Sequence, residues 1–532
     1  MSSRRLAVFA TCMALLPLTA CGGSPPQIVD YSPQRGSLAV SSAAAITITF
    51  DHAVDQQSVE SRLRLSPATT GSVRWGSSRQ LAYEHETLQA STLYEVILEP
   101  GYRDLIGNTY SLRHHWSFVT EPPPALAGSG PADGDTGVDP AAYLRLDFTR
   151  QMNPASLQSA VKFSPDVPFK LRLDQTDGHR VVIAPSQLLA PNTAYQIAVN
   201  AGATDVNGTQ LSREVSVRFT TGPPRALRHW LTFRTETAGG AAGGLWIVND
   251  TGFPRELMHD SAVHAFSWSP AGDSLLIQGD GETWSELIPG VGATPLKFKG
   301  TWAAALGAGM GYVYVDDAGI LHRETADGTD EVIAAYVVEA AVAPNGLRVA
   351  YVRGDIAAGE VWGYDVGLRA RYQLAIESNP VGSVSWAPSG NRIAYLRNES
   401  TSTRSLRVRN LTGAGTTTTI ATGDLGVPSW LRDSTHIVFP AGVISAGKTT
   451  HKAFVVNVVA PPSTLSPAQG LPTDPMIDVM APVPSPDGHQ IAFISGDQVW
   501  LMNADGTRPT VLTKSDPASF PYSCRAPAWT KA

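Results

Sequence analysis

Apolar and polar residues alternate in short runs along most of the chain, with the spacing of half-buried β-strands. Ile46, Ile48 and Phe50 alternate with threonines, and the runs 144–148 and 195–199 repeat the pattern. Successive side chains of a strand point to opposite faces, so each run predicts a strand with one face in a core. Clusters of Gly, Asn, Asp and Pro separate the runs and predict tight turns. The pattern therefore predicts an all-β protein.

Two stretches of the N-terminal half carry such runs in the same order. The first contains ITITFDHAVDQQSV (46–59), STLYEVILEPGYRDLIGNTYS (91–111) and WSFVTEPPP (116–124), and the second contains LRLDFTRQMNPASL (144–157), PNTAYQIAVNAGATDVNGTQLS (191–212) and VRFTTGPP (217–224). Several short strands joined by turns predict one β-sandwich in each stretch. We place these modules at residues 28–122 and 125–222.

The shared order of these segments resembles bacterial Ig-like domains of surface-layer and other cell-envelope proteins. The first module departs from that pattern, because Ala90-Ser91 replaces the Pro that usually precedes the Tyr-containing strand. The resemblance implies that the modules act as spacers or adhesive units. The prolines at 122–124 and 223–224 predict stiff boundaries after each module.

A different repeat fills residues 225–532. Its units are a short apolar strand, a Pro/Asp/Gly/Ser turn and an alternating strand: FSWSPAGDSLLIQG (266–279), AAVAPNGLRVAYVRG (340–354), VSWAPSGNRIAYLRN (384–398), PSWLRDSTHIVFPAG (428–442) and PVPSPDGHQIAFISG (482–496). Val342, Trp386 and Trp430 follow one another at intervals of 44 residues. This period, with four strands per unit, predicts a β-propeller. The motif P-D-G-x-x-I-A-F at 486–493 resembles the WD40-like repeats of TolB-type propellers.

The ends of this region predict how the propeller closes. APAWT (526–530) resembles an innermost strand without its hairpin, and WLTFRTE (230–236) and LWIVND (245–250) resemble outer strands without an innermost one. Together they form a blade shared by both ends of the domain, which removes exposed sheet edges. We predict seven blades, with six as the alternative.

The N-terminus carries an export signal. Residues 1–20 combine Arg4 and Arg5 with an apolar segment too short to cross a membrane comfortably. The sequence Leu18-Thr19-Ala20-Cys21-Gly22 resembles the lipobox of bacterial lipoproteins. That resemblance implies cleavage before Cys21, acylation of its thiol and a tether over residues 21–27. An ordinary secreted protein cut nearby is the alternative interpretation.

Composition limits the classes of function. The 532 residues include 16% charged residues and carry a net charge of -7, which gives no support to nucleic-acid binding. There are 3 cysteines. Since Cys12 would leave with the signal and Cys21 would be acylated, only Cys524 would remain and no intramolecular disulfide is expected. Motifs for serine hydrolases, zinc proteases, Cys-x-x-Cys sites and P-loops are absent from the sequence.

Polar residues at the ends of the innermost strands are the candidate binding residues of the propeller channel. His264, Glu339 and Asp478 occupy such positions. The two carboxylates would lie across the axis, where a pair could serve glycoside chemistry. The repeat tryptophans 268, 386, 430 and 529 fit interblade packing better than sugar stacking.

Two further clusters have structural alternatives. Asp133, Asp135 and Asp139 could bind calcium, but they lack the spacing of an EF-hand and also fit a connecting turn of the second module. His114 and His115 are adjacent, so on a regular strand they point apart and cannot chelate jointly. We expect no metal site and no cofactor.

The sequence favours a non-catalytic cell-envelope lipoprotein. Acyl chains on Cys21 would hold it to a membrane, facing the periplasm or the cell exterior, and the Ig-like modules would space the propeller outward. The propeller would bind an envelope protein or glycan. The alternatives are a hydrolase acting on glycans or peptides and a structural or adhesive surface protein.

Overall fold

The computed structural model describes residues 23–174, 177–250, 252–258, 262–354, 358–413, 415–445, 447–513 and 520–530. Its regular elements are almost all strands, so the predicted all-β class is confirmed. The signal segment 1–20 and Cys21 lie outside the described residues. No helix within the described ranges is long and apolar enough to span a membrane.

The first module is a sandwich of a four-stranded and a three-stranded sheet, in the orders β1-β2-β5-β4 and β3-β6-β7. Its elements are β1 (Ile28–Ser32), β2 (Ile46–Phe50), α1 (Gln56–Glu60), β3 (Leu63–Ser66), β4 (Gly71–Ser77), β5 (Gln80–His85), β6 (Leu93–Leu98) and β7 (His114–Val119). The alternating residues Ile46, Ile48 and Phe50 are at most 1% exposed and form the core with Tyr94 and Trp116.

The second module repeats this plan with two four-stranded sheets, in the orders β12-β13-β10-β8 and β11-β14-β15-β9. Its elements are β8 (Leu126–Gly130), β9 (Asp135–Val138), β10 (Leu144–Phe148), α2 (Pro154–Ala160), β11 (Val161–Ser164), β12 (Phe169–Leu173), β13 (Arg180–Pro185), β14 (Ala194–Val199) and β15 (Val215–Thr221). Leu144, Leu146 and Phe148 enter the core as their alternation predicts.

Equivalent side chains hold both modules together. The hydroxyl of Tyr94 accepts a hydrogen bond from the backbone N–H of Gln89, and that of Tyr195 accepts one from Ala190, at 3.0 and 2.9 Å. These matching contacts show that the two modules share one folding plan.

The remaining described strands form seven sheets. From the innermost strand outward, their orders are β42-β16-β17-β18, β19-β20-β21-β22, β23-β24-β25-β26, β27-β28-β29-β30, β31-β32-β33-β34, β35-β36-β37 and β38-β39-β40-β41. The strands are β16 (Leu231–Glu236), β17 (Ala242–Val248), β18 (Arg255–Met258), β19 (Ala265–Trp268), β20 (Leu275–Gln278), β21 (Thr283–Ile288), β22 (Gly292–Lys299), β23 (Trp302–Ala305), β24 (Tyr312–Val315), β25 (Leu321–Glu324), β26 (Asp330–Ala334), β27 (Val337–Val342), β28 (Arg348–Gly354), β29 (Gly359–Asp365), β30 (Ala370–Glu377), β31 (Val381–Trp386), β32 (Arg392–Asn398), β33 (Arg404–Asn410), β34 (Thr417–Gly423), β35 (Ser429–Trp430), β36 (His436–Ser445), β37 (Lys448–Asn457), β38 (Met480–Pro484), β39 (Gln490–Ser495), β40 (Gln498–Asn503), β41 (Thr510–Val511) and β42 (Ser523–Trp529).

The two ends of this domain meet in one sheet. Strand β42 pairs antiparallel with β16, with Leu231 opposite Trp529. The backbone N–H of Trp230 also donates to the hydroxyl of Thr530, at 3.0 Å. The last strand of the chain is therefore the innermost strand of a sheet that begins the domain, as the sequence fragments suggested.

A polar interface joins the two Ig-like modules. Arg150 pairs with Glu121 at the end of the first module and with the buried Asp205 in the second, the latter at 2.7 Å. The hydroxyls of Ser42 and Thr209 lie 2.6 Å apart across the same interface. Because these groups are buried and partnered, the interface holds the modules in one arrangement.

A buried arginine joins the second module to the propeller. The guanidinium of Arg255 donates to the carbonyl oxygens of Ala141 and Ala142, at 2.9 and 3.1 Å. It also lies over the Tyr143 ring, 4.1 Å from the centroid, and near the Trp230 ring. The residue is 0% exposed, and burial lowers the pKa of its guanidinium. The junction therefore depends on a buried cation whose two hydrogen-bonded carbonyls belong to the neighbouring module.

We predict that Arg255→Ala loosens this junction. The substitution leaves two carbonyl oxygens without donors and opens a cavity, so it should lower the free energy of unfolding by about 3 kcal/mol. Chemical unfolding measures the loss, and proteolysis between residues 222 and 230 should become faster. Arg172→Ala is the matched control, since Arg172 lies over Phe253 of the propeller but is exposed. Equal effects of both variants would contradict the prediction.

Candidate functional site

The propeller has two faces, of which one carries the second Ig-like module. Turns between the first and second strands of a blade lie on the same face as turns between the third and fourth. Phe253 in the β17–β18 turn and Gly290 in the β21–β22 turn contact the module. We call this side the module face and the opposite side the open face.

A cavity of about 490 Å³ opens near the centre of the module face. Its walls combine three indoles with rigid pyrrolidine rings, namely Trp386, Trp430 and Trp529 with Pro344, Pro388, Pro428, Pro484 and Pro486. We call it the tryptophan mouth. Ligand sites in proteins commonly fall in this size range and have mostly apolar walls.

The tryptophans of the mouth also join neighbouring blades. Trp386 and Trp529 each donate their indole N–H to a carbonyl of the preceding innermost strand, at 3.0 Å. Trp268, outside the mouth, donates to the hydroxyl of Thr232 at 3.2 Å. The tryptophan at this repeat position therefore packs between blades. Only the part of each indole ring that is not packed between blades can contact a ligand.

Trp430 departs from its equivalents. Its side chain is 8% exposed, yet within the described part of the chain its indole nitrogen has no hydrogen-bond partner. The hydroxyl of Ser385, on the preceding innermost strand and also in the cavity wall, is likewise unpartnered there. Both polar atoms are shielded from solvent, so they do not belong to the surface that the cavity offers to a ligand.

The arginine Arg432 lies at the edge of the tryptophan mouth. Arg432 is exposed and belongs to the cavity wall, whose described residues include neither Asp nor Glu. In the repeat, prolines 270, 344, 388 and 486 lie two residues after the innermost-strand position, and Arg432 replaces them in one blade. Sequence reasoning overlooked this residue, although the break in the repeat was visible.

Glu339 has a backbone partner rather than an open site. Its carboxylate accepts the N–H groups of Ser383 and Val384 in the next blade, at 2.7 and 2.9 Å. Burial raises the pKa of this carboxyl, and the two hydrogen bonds oppose that shift. The arrangement links two blades.

A repeated bulge explains why this carboxylate is needed. Ser383 has a φ of 56°, and Ala481 and Ala526 take the same left-handed conformation at equivalent positions. A proline follows in the latter two cases, so no N–H is left over. Val384 follows Ser383 instead, and Glu339 accepts its N–H.

The other channel candidates lie in separate pairs on the open face. Asp478 accepts the N–H of His451 at 2.6 Å and is half exposed. His264 pairs with Asp280 at 2.8 Å, close to solvent. The structure thus gives Glu339, Asp478 and His264 different partners and does not bring them together as one site.

The acidic turn of the second module binds its own backbone. Asp133, Asp135 and Asp139 accept the N–H groups of Arg218, Ala132 and Ala141, each at 2.8 Å. Within the described ranges, no group of three His, Cys, Asp or Glu side chains could hold a metal ion. The contacts correspond to a connecting turn.

The adjacent histidines of the first module have different surroundings. The ring of His114 stacks on Tyr110, with centroids 4.6 Å apart. His115 instead places Nδ1 2.8 Å from the carboxylate of Glu95. They lie on β7, which is an edge strand of its sheet.

Comparisons with known proteins identify the modules. Residues 23–120 and 121–221 each match the family model for the bacterial Ig-like domain, so both modules belong to that family. No curated protein matches the chain.

Solved structures similar to this chain include two TolB proteins and an oligogalacturonate lyase. TolB from Acinetobacter baumannii has 12% identity and a TM-score of 0.38, covering 72% of this chain and 86% of its own. A putative TolB from Agrobacterium tumefaciens has 16% identity and a TM-score of 0.35, covering 53% and 88%. An oligogalacturonate lyase in complex with manganese has 13% identity and a TM-score of 0.40, covering 55% and 87%. The propeller fold is established by the sheets described above.

We predict that Glu339→Gln destabilises the propeller. The amide can accept only one of the two N–H groups and turns its own NH₂ toward the other, at a cost of roughly 1–3 kcal/mol. Urea unfolding measures this change. Asp478→Asn is the control, because Asp478 is half exposed and should change stability little. A stable Glu339→Gln protein would contradict the proposed role in blade packing.

Cys524 should be unreactive in the folded protein. It is 0% exposed, its sulfur lies 3.4 Å from the hydroxyl of Thr513, and burial raises the pKa of its thiol to about 11. Since the thiolate is the reactive form, a disulfide reagent at pH 8 should label it only after unfolding. Rapid labelling of the native protein would show that the strand β42 opens.

Proposed function

We propose that this chain is a membrane-anchored cell-envelope lipoprotein whose propeller binds an envelope protein or glycan without catalysing a reaction. Acyl chains on Cys21 hold it to a bacterial membrane, and the two Ig-like modules carry the propeller away from that membrane. The lipobox-like residues 18–22 support the anchor.

The observation that carries the binding role is the tryptophan mouth. It combines apolar walls with a cation at Arg432. These features favour a ligand with an apolar part and a negative charge. The buried interfaces at Arg150 and Arg255 support a propeller held at a fixed position.

The hydrolase alternative has less support. Its two candidate carboxylates, Glu339 and Asp478, bind a backbone turn and a histidine respectively. The adhesive alternative depends on the Ig-like modules and would leave the mouth without a role.

Replacing Cys21 tests the anchor. The full chain carrying Cys21→Ser should lose the mass of its acyl groups and move from the detergent phase to the aqueous phase, because two or three acyl chains supply the membrane affinity. Intact-mass spectrometry and phase partitioning measure both changes. An unmodified Cys21 in the mature wild-type protein would contradict the anchor.

Reversing the charge at Arg432 tests the mouth. Chemical crosslinking in native envelopes should give a crosslinked product between the wild-type chain and its partner. The same product should be absent when the chain carries Arg432→Glu. Arg508→Glu is the matched control, since Arg508 is an exposed arginine of the outer β40–β41 turn. Unchanged crosslinks in both variants would contradict binding at the mouth and leave the Ig-like modules as the adhesive part.

A further inference from the structure

The connection between β6 and β7 presents aliphatic side chains to solvent. Leu105, Ile106 and Leu112 are 69%, 79% and 64% exposed. The connection lies beside α1, where the N–H of Asp55 donates to the carbonyl of Arg103. This end of the first module is opposite the end that contacts the second module. We call residues 104–112 the tip loop.

The start of the described chain lies against the tip loop. A Cβ built on Gly23 would lie 2.9 Å from the amide nitrogen of Asn108 and 3.6 Å from Cδ1 of Ile106. Only Gly22 separates Gly23 from Cys21. An acyl anchor on Cys21 would therefore place a bilayer next to Ile106.

The second module uses its equivalent loop for docking. The carbonyl of Asn207 accepts a hydrogen bond from Thr87 of the first module at 3.0 Å, and its side-chain amide donates to Ser41 at 3.0 Å. In both modules this loop therefore faces the part of the chain that precedes the module. For the second module that part is the first module, and for the first module it is the segment that begins at Gly23.

The residues at this position differ as their surroundings require. Leu105, Ile106 and Leu112 of the first module correspond to Val206, Asn207 and Arg213 of the second. The second loop meets a polar protein surface and forms hydrogen bonds with it. At the positions of Asn207 and Arg213 the first loop carries aliphatic residues instead, whereas Leu105 corresponds to another exposed aliphatic residue, Val206, which is 54% exposed.

A buried aspartate shapes each loop in the same way. Asp104 accepts the N–H groups of Ile106 and Asn108, at 3.0 and 2.8 Å. Asp205 accepts those of Asn207 and Thr209, at 2.9 and 2.8 Å. The aliphatic side chains therefore project from a braced turn.

The charges around the tip loop are paired. Arg103 lies 2.7 Å from Asp55, and Arg113 lies 3.6 Å from Glu99. The carboxylates of Asp55 and Glu99, which flank the loop, are therefore both paired with an arginine.

We propose that the tip loop inserts Leu105 and Ile106 into the interfacial layer of the membrane that holds the acyl chains of Cys21. This inference rests on the proposed lipid anchor. Transfer of exposed aliphatic side chains out of water lowers the free energy of the system. The short tether keeps Leu105 and Ile106 within reach of the bilayer. The loop would then fix how the first module stands on the membrane.

Depth-dependent fluorescence quenching tests the insertion. The lipidated full chain carrying Leu105→Cys is labelled with an environment-sensitive dye and reconstituted in phosphatidylethanolamine–phosphatidylglycerol vesicles with nitroxide-labelled acyl chains. The native thiol of Cys524 is buried and stays unlabelled. Val206→Cys, at the equivalent site of the second module, is the matched control.

We expect several-fold stronger quenching at position 105 than at position 206. Adding Ile106→Asn, which copies the second module, should reduce quenching at 105 while the protein still floats with the vesicles. Equal quenching at both positions in floating protein would overturn the insertion and leave the anchor intact. A wild-type protein that does not float would overturn the anchor, and with it this inference.

Discussion

The arrangement of the whole chain depends on burying one guanidinium between two modules. Arg255 is the first residue of an outer propeller strand, and both of its bonded carbonyls belong to the second Ig-like module. A buried cation needs partners, and the two carbonyls that accept its hydrogen bonds come from the module while the propeller adds the ring of Trp230. Strand β18 begins at Arg255, so its first residue has its carbonyl acceptors only when the second Ig-like module is docked. The second module and the propeller therefore stabilise one another.

The closure of the propeller lies at the same junction. Trp230 packs near Arg255, and its backbone N–H donates a hydrogen bond to the hydroxyl of Thr530. Strand β42 can pair with β16 only when the chain enters the domain at this point. The docked module and the shared sheet therefore meet at Trp230, and Thr530, which is bonded to Trp230, also lines the tryptophan mouth.

Much of the fold could be predicted from local patterns, because strands, turns and their repeats are determined by residues that are close together in the sequence. The alternation at 46–50 and the repeated turn motif predicted strands that the structure contains. The site was harder to predict. Glu339 looked like a channel carboxylate, but it satisfies a backbone bulge 44 residues away, and Arg255 contacts Ala141 from 114 residues away. Neither partner has a local signal, since both depend on how blades and modules pack. Arg432 was detectable in principle, as the break in a proline repeat.

Repetition with local change is the way this chain turns structural positions into functional ones. The same Asp-braced loop contacts the first module where it carries Asn207, and in the first module it carries Ile106, which lies near Gly23. The same turn position carries Pro in most blades and Arg432 at the mouth. The same tryptophan position donates to a strand of the neighbouring blade in three blades, whereas the indole nitrogen of Trp430 has no partner in the described structure. In the two Ig-like modules the aspartate that braces the loop is retained around the changed residue. A substitution there alters what the surface can bind at little cost to the fold, and such positions are where specificity can change while the architecture is kept.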